Sequence, residues 1–159
     1  MSEGYAASRP PVHRRVVDLI AERGALTGVV LDVGCGSGVL AVAAALFCAL
    51  RVDAIDLSLA APGVTDRNAA ANGVAGAVSA STAALAEVDG PYDVVVANIL
   101  APTLIELSAD LQRVTSPSGV LIVSGILADR HEHVQAALAP MRTVDRSVEG
   151  LWAALTLRW

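Results

Sequence analysis

The sequence predicts an α/β domain built on a mostly parallel sheet of seven strands, covered by helices and closed by a C-terminal antiparallel hairpin. Three observations carry this prediction. Short apolar runs alternate with helix-length stretches along the chain, the pattern of βα units feeding a parallel sheet. The run Val29, Val30, Leu31, Val33 reads as a strand covered on both faces, and it breaks into a turn at Gly34, Gly36 and Gly38 before a helix. The last two strands meet across Glu149-Gly150, as the arms of a hairpin do.

Each element follows from local chemistry. Pro10 and Pro11 start a helix whose apolar residues Val16, Val17, Leu19 and Ile20 lead to Gly24 as a stop. After the first strand and its glycine turn, Val39 to Leu50 is an apolar helix, and Val52 to Ile55 is a second strand that ends at Asp56. The next helix is poor. Pro62 and Gly63 sit inside it, so it starts late or kinks before it reaches Asn72-Gly73. Ala77 to Ser79 is a short third strand and Tyr92 to Ala97 a strong fourth. Pro102 to Val114 is a helix with Leu104, Leu107, Leu111 and Val114 on one face. Ser116 to Gly119 is a turn, Val120 to Ser124 a fifth strand, and Asp129 to Leu138 a helix; Thr143 to Val148 and Leu151 to Leu157 form the hairpin.

Composition narrows the function classes. A chain of 159 residues supports one core. The net charge of −5 argues against nucleic acid as a main partner, because phosphate binding wants a basic face and Arg14-Arg15 is too small a patch. The apolar helix after the glycine turn falls short of the ~20 residues that span a bilayer. With no signal-peptide layout at the N-terminus, a cytoplasmic protein without membrane attachment is expected. Cys35 and Cys48 belong to no CxxC or Cys/His cluster, so reduced, structural thiols and no metal site are expected.

The glycine turn admits three readings, which spacing separates. A phosphate-binding P-loop needs Gly, four residues, then Gly-Lys-Ser/Thr. Val39 stands at its second glycine, and the chain has no lysine. The dinucleotide fingerprint G-x-G-x-x-G also fails at Val39, since Gly38 comes one residue early. What remains is acidic-x-G-x-G-x-G, led by Asp32, the lone charge in a buried strand. Such a carboxylate is costly unless paired, so it organises a site. Asp56 follows at roughly the ~20 residues at which Rossmann-type folds place a ribose-binding carboxylate, and two ribose hydroxyls suit a bidentate acceptor. Asp53, inside the same strand, reads as an edge or solvated residue.

This pattern resembles the first motif of class I S-adenosylmethionine (SAM) dependent methyltransferases, whose Rossmann-like sheet has seven strands with the last antiparallel. The resemblance implies SAM as cofactor and S-adenosylhomocysteine as product, held by Asp32, Gly34, Cys35, Gly36, Ser37, Gly38, Asp56, Leu57, Ser79 and Asn98. A narrower likeness covers about Leu31 to Arg158. LDVGCGSGVL, Asn68-Ala69 to Asn72-Gly73-Val74, YDVVVANIL, VSGILA and LWAALTLR are together similar to the catalytic domain of the bacterial ribosomal-protein lysine methyltransferases, the PrmA family. The expected organisation is a single methyltransferase domain over residues 1–159, with an N-terminal segment and helix over 1–24 and the Rossmann-like core over 25–159.

The departures from that family bear on the acceptor. Its members carry an N-terminal recognition domain, whereas fewer than thirty residues precede the first strand here. The family's Gly-Thr-Gly and His-x-Thr-Thr segment is replaced by GYAASRPPVHRR, nearer the entry segment of small-molecule methyltransferases. Tyr5, Arg9 and His13 are therefore candidates for closing over the methionine end of SAM, against a frayed terminus. A protein amine is the first choice of acceptor and a small molecule the alternative. SAM binding without turnover is a third reading, and a homo-oligomer or a separate recognition subunit stays open.

Asn98 is the candidate catalytic residue. The resemblance places it in Asn98-Ile99-Leu100-Ala101, where aminomethyltransferases keep an Asn or Asp that accepts hydrogen bonds from the amine and aims its lone pair. Capping of the helix near Pro102 is the competing role. A lysine of pKa ~10.4 is mostly charged at pH 7, at a cost of roughly 4 to 5 kcal/mol unless desolvation lowers it. No base stands out. His131 and His133 face different directions on one helix, His13 is a weak candidate, and Trp152 either lines the entrance or packs.

Overall fold

A computed structural model describes residues 14–22, 28–47 and 49–159. Tyr5, Arg9, His13, Gly24 and Cys48 lie outside the described residues, as do the two prolines of the expected first helix start. Helix α1 runs Arg14–Glu22, followed by β1 (Val29–Val33), α2 (Val39–Leu46), β2 (Arg51–Ile55), α3 (Ala61–Ala71) and β3 (Val78–Ser81). A 3-10 turn at Leu85–Glu87 leads to β4 (Tyr92–Asn98), then α4 (Ala101–Glu106), α5 (Ser108–Val114) and β5 (Thr115–Leu127). A second 3-10 turn, Ala128–Arg130, precedes α6 (His131–Ala137) and the hairpin strands β6 (Arg142–Glu149) and β7 (Trp152–Arg158).

The seven strands form one sheet in the order β3-β2-β1-β4-β5-β7-β6. β1 to β5 are mutually parallel, and β7 runs antiparallel to both neighbours. Strand order reverses between β1 and β4, which opens a crevice beyond their carboxyl ends, where open α/β sheets bind ligands. One apolar cluster joins Val16, Leu19 and Ile20 of α1 and Leu40 and Ala44 of α2 to Val30, Val94, Val96 and Ile122 on one face. A second joins Leu104, Leu111 and Val134 to Leu31, Val33, Val95 and Leu121 on the other. Burial on both faces explains why the inner strands read as continuous apolar runs rather than alternating ones.

Several boundaries differ from expectation for local reasons. α2 ends at Leu46 rather than Leu50, the chain turning through Phe47 so that β2 begins at Arg51. Pro62 occupies the first turn of α3, where its missing N–H costs nothing, so the helix starts late. α3 closes with Gly73 N–H on the Ala70 carbonyl and Val74 N–H on that of Ala69, the paired bonds of a Schellman end. The single helix expected over Pro102 to Val114 is two, divided at Leu107. The turn at Ser116–Gly119 lies inside β5 as an excursion: Tyr92 pairs with Thr115 and Val94 already with Val120. The terminal hairpin turns at Gly150-Leu151, one residue later than expected, between the paired Glu149 and Trp152. No helix among the described residues is long and apolar enough to cross a membrane.

Candidate functional site

β1 delivers the glycine turn to the crevice, and the end of β2 holds it there. Gly34 and Cys35 both donate their N–H to the Ile55 carbonyl, at 2.8 and 3.0 Å. The turn needs glycine at two crowded points. Gly34 has φ +73°, and a Cβ there would sit 2.5 Å from Ile99 Cγ2; Gly38 has φ +78°, and a Cβ there would meet Thr65 Cγ2 at 2.6 Å. Both the left-handed backbone and the close neighbour exclude a side chain.

Helix α3 braces the turn from behind. Thr65 Oγ1 donates to the Gly36 carbonyl at 3.3 Å and lies 3.6 Å from Cys35 Sγ, and Asn68 Nδ2 donates to the Ser37 carbonyl at 2.8 Å. No spacing pattern in the sequence marks Thr65 or Asn68 as a brace. The only sequence signal was the place of Asn68 in the segment shared with the PrmA family. Cys35 is buried, and burial, against the opposing Thr65 contact, pushes its thiol up to about 11. It stays protonated at neutral pH.

Two carboxylates frame the crevice. Asp56 is half-buried at the end of β2, where Oδ2 accepts the Gly36 N–H at 2.8 Å and Oδ1 accepts the Ser58 N–H at 2.9 Å. These bonds fix the carboxylate and leave lone pairs on both oxygens, since an ionised carboxylate has about four acceptor positions. Asp32 is 2 % exposed, and its Oδ2 accepts the Ala41 N–H of the first turn of α2 at 3.0 Å. Burial raises its pKa to about 7, with the Ala41 bond opposing and the charge of Asp56 adding to the rise. Asp53 is held elsewhere: it accepts the Tyr92 hydroxyl at 2.7 Å and Arg51 at 2.9 Å.

Asn98 closes the crevice at the end of β4. Its Oδ1 accepts the buried Ser124 hydroxyl at 2.9 Å. The cap position of α4 is Leu100, and no side chain caps that helix, so the capping role considered for Asn98 is not observed. The cavity between these groups has a volume of about 570 Å³, within the ~300–1,000 Å³ of small-molecule sites. Asp32, Gly34, Cys35, Ser37, Asp56, Leu57 and Asn98 line it, and Val39, Ala83 to Ala86, Ile99 and Leu100 supply apolar walls. Gly36 contributes through its N–H to Asp56, and Gly38 shapes the turn from outside the lining.

Ser79 is not brought to the site. β3 runs on to Ser81, and Ser79 is exposed in mid-strand on the face opposite Val78 and Ala80. Trp152 starts β7 away from the cavity, paired with Leu127 and Glu149. His133 is exposed, and His131 bonds the Ala128 carbonyl through Nδ1 and Arg146 through Nε2. Neither histidine lines the cavity. Among the described residues no group of three or more His, Cys, Asp or Glu converges as metal ligands would.

Comparison with known proteins agrees with this fold. The family model described as ribosomal protein L11 methyltransferase (PrmA) matches residues 16–158. A ribosomal protein L11 methyltransferase of Citrifermentans bemidjiense is 44 % identical over 138 residues, 87 % of this chain and 45 % of that protein. One from Geobacter sp. (strain M21) is 42 % identical over 142 residues, 89 % of this chain and 46 % of that protein. The chain thus spans about half the length of the curated relatives it matches. Among solved structures, the ribosomal protein L11 methylase of Lactobacillus delbrueckii subsp. bulgaricus superposes with a TM-score of 0.83 at 34 % identity, covering 91 % of this chain and 77 % of that one. An RNA methyltransferase from Salinibacter ruber, solved with S-adenosylhomocysteine, shares the fold at a TM-score of 0.73 and 21 % identity, covering 92 % and 91 % of the two chains.

Proposed function

This chain belongs to the ribosomal protein L11 methyltransferase (PrmA) family, and on that premise we propose that it binds SAM in the crevice between β1 and β4 and methylates an amino nitrogen of a ribosomal protein. The observation that carries the reading is the convergence of Asp32, Asp56 and Asn98 on one cavity around the glycine turn. When bound, SAM supplies a methyl group made electrophilic by its sulfonium. The residues present fit such a molecule. Asp56, already oriented by two backbone N–H groups, has acceptor capacity for the ribose hydroxyls. Asp32 offers a buried anion for the ammonium of the methionine end. Leu57 and Ala83 to Ala86 offer an apolar slot for the adenine ring.

The residues around Asn98 prepare the acceptor. Its amide oxygen accepts a hydrogen bond from the incoming amine and aims the nitrogen lone pair into the cavity. Val39, Ile99 and Leu100 present apolar surface to the cavity, against which a docked amine gives up water. That desolvation disfavours the ammonium form and so supplies the neutral nucleophile. Neither helix histidine lines the cavity, and we assign the amine proton to solvent. The setting we assign is the cytoplasm, where SAM and ribosomal proteins meet.

The test is transfer from methyl-labelled SAM to ribosomal protein L11 and to a cell extract divided into protein and small-molecule pools. Label in the protein pool, with L11 as a labelled component, is expected. Label confined to small molecules would overturn the protein acceptor, and failure to bind SAM would overturn the cofactor assignment.

A further inference from the structure

Ser124 has no part in the transfer outlined above, yet it is fully buried (0 % exposed) at the inner edge of the site. It ends the apolar run Val120-Leu121-Ile122-Val123, where a hydroxyl must find a partner to be tolerated. Its partner is Asn98, whose Oδ1 accepts the Ser124 hydroxyl at 2.9 Å. Backbone register holds the two together: Asn98 pairs with Ser124 between β4 and β5, and the Ile99 N–H donates to the Ser124 carbonyl at 3.2 Å.

The strand is irregular at this residue. β5 takes three steps from Val123 to Ile126 while β7 takes two from Leu155 to Ala153, and Gly125 adopts φ +78° inside the bulge. The extra residue returns Ile126 to the apolar face of Leu121 and Val123 and frees Ser124 from the ladder with β7. Bulges of this kind re-aim side chains beside active sites.

The consequence concerns the carboxamide of Asn98. Asn98 lines the cavity, and its Oδ1 is the carboxamide atom tied to β5 through the serine hydroxyl, so this bond restrains where the amide stands beside an incoming acceptor. The Ser124 hydroxyl occupies one lone pair of Oδ1 and leaves the second available. We propose, resting on the methyl transfer proposed above, that Ser124 is a positioning residue that holds the Asn98 carboxamide, through Oδ1, in the place from which it meets the acceptor nitrogen.

The experiment compares Ser124→Ala, Ser124→Thr, Asn98→Ala and the double variant Ser124→Ala/Asn98→Ala. One readout is independent of turnover: the side-chain amide resonances of Asn98 in the ligand-free protein, identified by their absence in Asn98→Ala. In Ser124→Ala these resonances should move and exchange faster with water, while Ser124→Thr keeps them near their wild-type positions. With L11 as acceptor, Ser124→Ala should lower kcat roughly 10- to 100-fold, the scale of a misaligned reactant, with KM and the SAM Kd within about twofold of wild type. Threonine should recover most of the rate. The double variant should be no slower than Asn98→Ala, because serine acts only through the amide.

Unmoved Asn98 resonances in Ser124→Ala, or losses that multiply in the double variant, would overturn the assignment. If wild-type protein transfers no methyl group to L11, the acceptor proposed above fails. The amide resonances still decide whether Ser124 holds Asn98.

Discussion

Asp32 makes a quantitative demand on stability. Its carboxyl is 2 % exposed, and burial raises its pKa to about 7, against about 3.9 in an unfolded chain. The folded state therefore holds a proton that the unfolded state releases between about pH 4 and 7, so folding stability falls as pH rises through that window. Above pH 7 the whole penalty is present. At ~1.36 kcal/mol per pKa unit it amounts to about 4 kcal/mol. Asparagine at this position keeps an oxygen for the Ala41 N–H and carries no charge, so Asp32→Asn should stabilise the protein at pH 8 by up to about 4 kcal/mol, or roughly 10 °C in Tm for a domain of this size. The gain should vanish toward pH 4.

The assay is urea and thermal unfolding of both proteins at matched points from pH 4 to 8.5, so that all other titrations cancel in the difference. A difference independent of pH, or a variant less stable than wild type at pH 8, would refute the claim that desolvation governs this carboxyl. The same charge bears on the proposed cofactor site. If Asp32 pairs the ammonium of bound SAM, wild-type affinity should rise between pH 6 and 8 as the carboxyl ionises, while Asp32→Asn should bind more weakly with no such rise. The penalty in the free protein would then be the cost of a pre-formed anion site.

Asp56→Ala removes charge-assisted hydrogen bonds of ~1.5 to 3 kcal/mol each, and calorimetry should show at least a tenfold loss of SAM affinity in a folded protein; unchanged affinity would move ribose binding elsewhere. Asn98→Ala should leave SAM binding nearly intact and cut turnover on L11 by roughly 10² or more, with Asn98→Asp retaining more activity than alanine; wild-type turnover in the alanine variant would remove Asn98 from the mechanism. Gly38→Ala places a Cβ 2.6 Å from Thr65 Cγ2 on a backbone of φ +78°, so it should lose ~1 to 3 kcal/mol of stability along with SAM affinity. Trimming the neighbour in Gly38→Ala/Thr65→Ser should recover only part of that loss, because the backbone strain persists; full recovery would show that crowding alone selects glycine.

The parts legible in the sequence are those written over short spans. The glycine turn and its two acids are separated by one helix and one strand, so spacing alone distinguishes them from a P-loop or a dinucleotide fingerprint. The strands were readable because burial on both faces leaves them apolar throughout, and Pro62 correctly signalled a delayed α3. Contacts that depend on tertiary register were not readable. Thr65 reaches Gly36 across 29 positions and Ser124 reaches Asn98 across 26, and no local pattern marks such a partner in advance. The break at Leu107 was hidden for a similar reason: the helical stripe from Leu104 to Val114 continues through it, so periodicity reports one face and not the change of axis. Ser79 shows the cost of misplacing a strand end. An end set two residues early makes an exposed mid-strand residue look like part of the crevice.

Register also explains why one cavity collects these groups. Asp32 pairs with Val96 across β1 and β4, so Asn98, two residues beyond Val96, stands on the same face one alternation further along. Asn98 pairs in turn with Ser124. Val30, Val94, Val96, Val120 and Ile122 occupy this parity and pack beneath the sheet against α1 and α2. The apolar packing that fixes the core therefore also fixes which face receives the acid, the amide and the hydroxyl. A one-residue slip of β4 would turn Asn98 to the opposite face and carry Val94 and Val96 out of this cluster. The site is specified by the same pairing that makes the sheet stable, which is why a serine and an asparagine at the ends of two apolar runs meet across 26 positions of the chain.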